Sequence, residues 1–288
     1  MNTVLMSDIF ELMRADYENN SRRTLKDLEY RIAGQLLPAF GSRQADTVTS
    51  TDILNYRNKR AREGAARGTI NLELSAIKRG FELARRFGLI DRPPHVELYA
   101  IGLTNRRTGF FTQAEYEALL SCCTGYLHQM IKFAFYSGWR QGEILALEWK
   151  HYDEAANVLR LETSKNGHSR VLPITGSPLE EVIDKQKSLR LRSCLFVFHH
   201  AGARVRREKL SVDWRACCAA AGVTRYFHDL RRTAVRNLIR SGVHKHVAKQ
   251  ITGHMSDCVF ERYDIVDETD LSAAVRLMGA YKDGRGLR

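Results

Sequence analysis

No stretch of this 288-residue chain approaches the roughly 20 consecutive apolar residues that a helix needs to cross a bilayer, which argues against a membrane partner. A basic-then-apolar leader is also missing, because Met1 to Met13 already carries Asp8 and Glu11. Cysteine is sparse and unpatterned. Cys122–Cys123, Cys194, Cys217–Cys218 and Cys258 include no C-x-x-C and no metal-ligand spacing. In apolar, helix-like surroundings the adjacent pairs read as small core residues rather than metal ligands or disulfide partners, and a reducing, cytoplasmic setting fits them. Internal repeats and low-complexity tracts are absent.

Acidic residues are outnumbered by basic ones, 33 to 45, for a net charge of +12. That balance points to a polyanionic partner and does not by itself say which. With 44% hydrophobic residues the chain has enough apolar material for two ordinary domains. Up to residue 103 the excess is 16 basic against 13 acidic residues, and from 104 onward it is 29 against 20, so most of the charge belongs to the second part.

The first part, 1–103, reads as a small helical domain. Thr49 to Asp52 is a plausible helix start. Further on, Ile70, Leu74, Ile77, Phe81 and Ala84 recur at helical spacing, with Thr69 as the expected N-cap and Gly88 as the stop. The outer face of that helix is basic at Lys78, Arg79, Arg85 and Arg86, which would suit a phosphate backbone or, more plainly, solvent. DRPPHVELYAIGLTNRRTG has adjacent prolines, two glycines and the Arg106-Arg107 pair without sustained periodicity, and reads as an interdomain linker that follows a polyanion. The second part, 104–288, opens with a capping-box pattern from Thr112 to Glu115.

Within it lie five short segments with reactive side chains. In SGWRQGEIL, Arg140 and Glu143 are three apart, which predicts a helix carrying both on one face, with Glu143 orienting the guanidinium. In FHDLRRTAVRNLIRSGV, Phe227, Leu230, Ala234, Leu238 and Ile239 make the buried stripe. His228 and Arg231 then project from the first turn, where helix N–H groups favour a phosphate. VLRLETSKNGHSRVLPI alternates like two half-buried strands around Asn166-Gly167, a strong hairpin signal, with Lys165 at its tip. VAKQITGHMS reads as a helix ending at Gly253, followed by His254, and nine residues on comes Tyr263. Singly, each has a plainer explanation: a surface ion pair, a structural H-x-x-R, a solvated turn lysine, a core tyrosine with a wet hydroxyl. Together they supply what phosphodiester displacement needs, namely a nucleophile, cations for the nonbridging oxygens and a proton for the leaving oxygen.

The joint order Arg, Lys, His-x-x-Arg, Gly-His, Tyr resembles the signature of the tyrosine recombinases, or phage integrases. The stretch from GWRQGEIL to ERYDIVDETDL looks like integrases of phages and mobile elements, and residues 1–100 resemble their helical, SAM-like core-binding domain. The resemblance implies a two-domain, mostly α fold with a small antiparallel sheet in the catalytic domain. It assigns Arg140 and Arg231 to the nonbridging oxygens, His254 to a further hydrogen bond there, and Tyr263 to the attack that gives a 3′-phosphotyrosyl link. Lys165 looks like the general acid, His228 an acid/base aid and Glu143 the support of the first arginine. It further implies no metal and no cofactor. The partners would be double-stranded DNA with inverted-repeat core sites, a homotetramer on synapsed DNA, and DNA-bending or directionality factors, in a bacterial or phage-infected cytoplasm at the nucleoid.

In similar recombinases a tail like the one with Leu271, Ala274, Val275 and Met278 at helical spacing packs on the neighbouring protomer; the alternative is its own domain. About twenty residues precede the first helical pattern, which fits a short form without an arm-binding domain. Two other functions stay open. A type IB topoisomerase would share the chemistry, but such enzymes tend to have a lysine at the position of His228 and a long insertion before the tyrosine. A regulator that only binds DNA could use LIRSGVHKHVAKQITGH, with His244, Lys245, His246 and Lys249 on phosphates, but gives no reason for Arg140, Lys165 and Tyr263.

Overall fold

The structure is a computed structural model that describes residues 3–100, 109–161, 169–254 and 260, together with 271, 272, 275, 276 and 278 of the tail. The chain divides into two compact units, Met1–Arg106 and Arg107–Arg288. Each has its own core, and sheets occur, among the described residues, only in the second.

In the first unit, helices α1 (Met6–Asn19), α2 (Leu25–Arg31), α3 (Leu37–Phe40), α4 (Ser50–Arg62) and α5 (Arg67–Arg86) enclose a core built on Met6, Ile9, Phe10 and Met13 of α1 and Ile70, Leu74, Ile77 and Phe81 of α5. Helix α1 begins at Met6, so the expected twenty-residue lead is in fact a core helix. The two long helices cross at Gly80, where a Cβ would lie 2.8 Å from Met13 Sδ and 2.9 Å from Ile9 Cγ2. Thr49 caps α4 as its sequence predicts, exchanging bonds with Asp52. The predicted N-cap of α5 is displaced: the helix starts at Arg67 behind an extended Ala66, leaving Thr69 inside its first turn. Gly64, at φ 81°, has already turned the chain, so nothing stops the helix from starting earlier than its apolar stripe. Between α4 and α5, buried Glu73 accepts bonds from Tyr56 Oη and from two nitrogens of Arg60.

The start of the predicted linker is part of this unit. Tyr99 N–H and C=O both pair with the Asn71 amide, Arg57 donates to Glu97, and Val96 is buried. The periodicity test misses such a strap, because an extended segment held by side-chain hydrogen bonds has no repeating pattern. Arg106 and Arg107 lie outside the described residues.

The second unit is built around α7 (Gly125–Ser137), whose Met130, Ile131, Phe133 and Ala134 are fully enclosed. Before it comes α6 (Gln113–Cys122), capped by the reciprocal Thr112–Glu115 bonds that the sequence predicts. After it come the one-turn α8 (Gln141–Ile144) and the antiparallel sheet β1 (Tyr152–Asp153), β2 (Val158–Leu161), β3 (Arg170–Pro173), with Leu161 opposite Arg170. Helix α9 (Pro178–Ser188), the short ribbon β4 (His199–His200) and β5 (Ala203–Arg204), α10 (Arg207–Ala220), α11 (Phe227–Arg240) and α12 (Lys245–Thr252) complete it. No described helix is long and apolar enough to cross a membrane.

The cysteine expectation needs correcting. Cys123 at the end of α6 and Cys217 in α10 are core residues, yet they form a disulfide across 94 residues of chain. Spacing along the sequence carries no information about such a contact, and the bond sits poorly with the reducing setting inferred from cysteine pattern alone. Cys122 is an exposed thiol, Cys194 and Cys218 are buried ones, and Cys258 lies outside the described residues. In the tail, Leu271, Val275 and Met278 are all strongly exposed, and Ala274 is not among the described residues.

Candidate active site

Five pieces of chain meet where the end of α12 runs into Gly253. Helix α7 stops at Gly138, in the left-handed region at φ 62°. A Cβ there would fall 2.9 Å from Thr252 Cγ2 and 3.1 Å from Ala234 Cβ, so a side chain would push α11 and α12 away. The next residue, Trp139, is fully enclosed and donates its indole N–H to Ile251 O at 3.1 Å.

Arg140 then differs from its predicted place inside a helix. Its backbone is extended (ψ 141°) and it is the N-cap of α8, with Glu143 closing the first turn by accepting the Arg140 N–H at 2.9 Å. The predicted partnership survives in this form: Nη1 donates to Glu143 Oε1 at 3.0 Å, and Nη2 donates to Gly253 O at 3.0 Å. A three-residue spacing cannot tell a helical pair from a cap and its closing acid.

Arg231 rises from the first turn of α11, as expected, but is only 2% exposed. Its Nη1 donates to Gly138 O at 2.6 Å and to Thr252 O at 2.5 Å, and Nη2 lies 2.8 Å from His254 Nε2. Thr252 O also accepts from Arg170 Nη1 at 2.8 Å. The final carbonyls of a helix are unsatisfied by its own N–H groups and carry the negative end of its dipole. Here they receive three guanidiniums, which fixes the cations without neutralising them.

His254 is buried, and burial, followed by the charges of Arg231 and Arg140, pushes its pKa down to about 2. The ring is neutral, and its tautomer follows from its partners. Thr252 Oγ1 gives its hydrogen to Ala248 O at 2.7 Å, so its 2.8 Å contact with His254 Nδ1 is an N–H donating to the hydroxyl oxygen. Nε2 is thereby left as the acceptor facing Arg231. His228, exposed on the same α11 turn, is also lowered, by desolvation from the protein around it and then by the charge of Arg231; Asp229 opposes this only in part. Asp229 is committed to the start of α11 through Tyr226 N–H at 2.9 Å.

Lys165, Asn166-Gly167 and Tyr263 lie outside the described residues; the strands on either side of Lys165 pair antiparallel, with Leu161 opposite Arg170, where a two-residue Asn166-Gly167 turn would set it opposite Leu172. Three residues before Tyr263, Phe260 is fully buried against Val235 and Ala248, with its ring edge-on to His254 at 5.5 Å. In the first unit, Lys78, Arg85 and Arg86 are exposed, whereas Arg79 is tied to Asp16 at 2.6 Å and stacked over Tyr17, which gives it an internal task. His244 accepts the His246 N–H at the start of α12, and Lys245 sits 6.0 Å from the Phe260 ring centre.

One residue of the site was not singled out from sequence. Arg170, the first residue of β3, is 6% exposed, lies 2.7 Å from Glu143 Oε2 through Nη2, and stacks on Trp139 at 4.8 Å. The signal was there: Leu172 and Ile174 mark the inward face of an alternating strand, and Arg170 falls on that same face. Glu143 is held between Arg140 and Arg170. Burial alone would raise its pKa, but Arg170 first and then Arg140 outweigh that, and the carboxyl titrates below its usual range.

The phage integrase family model matches residues 109–269, more than half of the sequence, and the chain belongs to that family. It is 27% identical to the shufflon-specific DNA recombinase of Escherichia coli over 237 residues, 77% of this chain and 59% of that protein. To the integrase of Salmonella phage P22 it is 27% identical over 274 residues, 91% of this chain and 64% of that one. The chain therefore spans 59% to 64% of these relatives' length. Its fold is that of lambda integrase in a tetramer bound to a Holliday junction, with TM-score 0.77 and 19% identity over 92% of this chain and 78% of that chain. The Tn1549 transposon integrase in complex with circular intermediate DNA gives TM-score 0.77 and 16% identity over 94% and 99%.

Proposed function

We infer that this chain is a site-specific tyrosine recombinase, cutting and rejoining DNA strands through a 3′-phosphotyrosyl intermediate on Tyr263 without metal or ATP. The observation that carries the reading is the convergence of Arg140 and Arg231 on the carbonyls of Gly138, Thr252 and Gly253, with His254 against Arg231. Two forked guanidiniums, Arg231 on neutral acceptors and Arg140 on the Gly253 carbonyl and the Glu143 carboxylate, are presented to the nonbridging oxygens of a phosphodiester. Tyr263 attacks phosphorus, the 5′ oxygen leaves with a proton from Lys165, and the phosphate ester on Tyr263 conserves the bond energy for rejoining. His228, on the open side of its turn and with its pKa lowered, receives the tyrosine proton. For His254 to donate to the phosphate, its proton must pass from Nδ1 to Nε2 while Thr252 Oγ1 swings its hydrogen from Ala248 O to Nδ1.

The substrate is double-stranded DNA with inverted-repeat core sites, and exchange takes place in a homotetramer, assisted by DNA-bending or directionality factors. The basic residues Lys78, Arg85, Arg86, Arg106 and Arg107 contribute backbone contacts. The apolar tail residues Leu271, Val275 and Met278 meet a neighbouring protomer. The core-binding domain corresponds to residues 1–103 and the catalytic domain to residues 104–288.

The test is covalent trapping on nicked duplexes selected from a random library by the wild-type protein. Wild type should give a denaturation-resistant adduct. Tyr263→Phe should bind with unchanged affinity and give none; an adduct from the Phe variant would show that another residue is the nucleophile.

A further inference from the structure

Arg170 holds an unusual position: a buried cation contributed by a strand to a site already supplied with two catalytic arginines. Its Nη1 bonds Thr252 O, its Nη2 is paired with Glu143, and its plane lies on Trp139. Gly253 leaves room for it, since a Cβ there would stand 2.1 Å from Arg170 Nη1. Among the described residues its Nε has no hydrogen-bond partner. Burying a guanidinium with incomplete bonding is a poor way to gain stability, because desolvation takes back most of the Coulombic gain. A different benefit is needed to explain it.

The shared carboxylate provides one. Glu143 must touch Arg140 to set its orientation, but a carboxylate paired with a single arginine also cancels that arginine's charge. With Arg170 on its other oxygen, Glu143 divides its charge between two cations. Arg140, Arg170 and Arg231 less Glu143 leave two positive charges around a neutral His254, which matches the two negative charges of a pentacoordinate phosphorane. Resting on the recombinase reading above, we propose that Arg170 is a positioning residue that draws the Glu143 carboxylate away from Arg140 and fixes the α12 terminus, so that Arg140 meets the scissile phosphate oriented and still cationic.

The charged groups around Glu143 are Arg140 on its own turn, Arg170 from β3 and Arg207 of α10 beside Gly142; Arg231 and His254 are joined to it through Arg140 and the Thr252–Gly253 carbonyls. Among its charged neighbours, Arg170 is the largest influence holding the carboxyl pKa down.

The experiment measures single-turnover adduct formation by the full chain on nicked, selected duplexes, with DNA affinity and melting temperature in parallel. Arg170→Met should keep DNA affinity and slow adduct formation roughly tenfold to a hundredfold, the range for loss of an outer-shell partner. Adding Glu143→Gln to Arg170→Met should raise the rate again, because the amide still accepts from Arg140 but no longer carries the charge that cancels it. A merely structural Arg170 predicts the reverse, a double variant slower than either single one. Wild-type rates in Arg170→Met, or a double variant slower than Arg170→Met, would overturn the proposal while the wild-type adduct still upheld the recombinase reading. No adduct from wild type would overturn both. If Arg170→Met does not fold, Arg170→Lys alone and with Glu143→Gln replaces it. The lysine keeps a cation but cannot span Glu143 and Thr252, so it should be slow, and an unimpaired rate would count against the proposal.

Discussion

His254 and Arg231 illustrate how much a single side chain's role depends on its partners. The imidazole, whose pKa burial and the neighbouring arginines hold far below the usual histidine range, is an acceptor for Arg231, and on the proposed mechanism its switch to a donor would run through one threonine hydroxyl. Lys165 can be tested at the same scale. If it protonates the departing 5′ oxygen, its loss matters only while that oxygen is a poor leaving group, and a 5′-bridging phosphorothiolate leaves without needing a proton. Lys165→Ala should cleave ordinary DNA very slowly and the sulfur-substituted strand at near the wild-type rate, measured as adduct formed per unit time. Arg231→Ala should be slow on both, since charge on the nonbridging oxygens is then unrelieved. A Lys165 variant that sulfur fails to rescue would reassign the general acid, with His228 next in line.

Among the elements, the end of α12 organises the most. Gly253, at φ 71°, ends the helix in the left-handed region and exposes the carbonyls that three arginines use. Gly253→Ala should therefore cost about 2 kcal/mol or more from backbone strain and from displacing Arg170, read as a lower midpoint of denaturant unfolding, with cleavage falling further than binding. An unchanged midpoint would mean that this turn is softer than its geometry indicates. Local signals made such elements legible. Thr49 with Asp52, Thr112 with Glu115, the stripe of α11 and the glycine after Thr252 all act within a few residues, and each stands where its sequence predicts. What escaped was set by distant chain. Arg140 caps a turn because Glu143 and Gly253 receive it, Arg170 is buried because Trp139 and Glu143 are waiting, and Cys123 finds Cys217 only after folding. The strap ending at Tyr99 looked like a linker because its order comes from Asn71 and Arg57, not from its own pattern.

For the molecule as a whole, charge is the dominant property. With 45 basic residues against 33 acidic, and polar contacts expected mainly with the sugar–phosphate backbone, DNA affinity should fall on the order of a thousandfold from 50 to 200 mM salt if about six phosphates are neutralised. Fluorescence anisotropy on a selected duplex across that range would check it, and a flat dependence would contradict electrostatic binding.

The disulfide divides the proposed site residues in a further way. Residues 123–217 form a covalent ring that contains Arg140, Glu143, Lys165 and Arg170, whereas His228, Arg231, His254 and Tyr263 all lie on the arm that leaves it. A nick anywhere inside the ring opens the circle without severing the molecule. Arg140 and the segment of Tyr263 then stay on one covalent framework for as long as the bond between Cys123 and Cys217 is intact. Reduction of that bond in a chain cut between Arg170 and Cys217 leaves the two groups joined by packing alone.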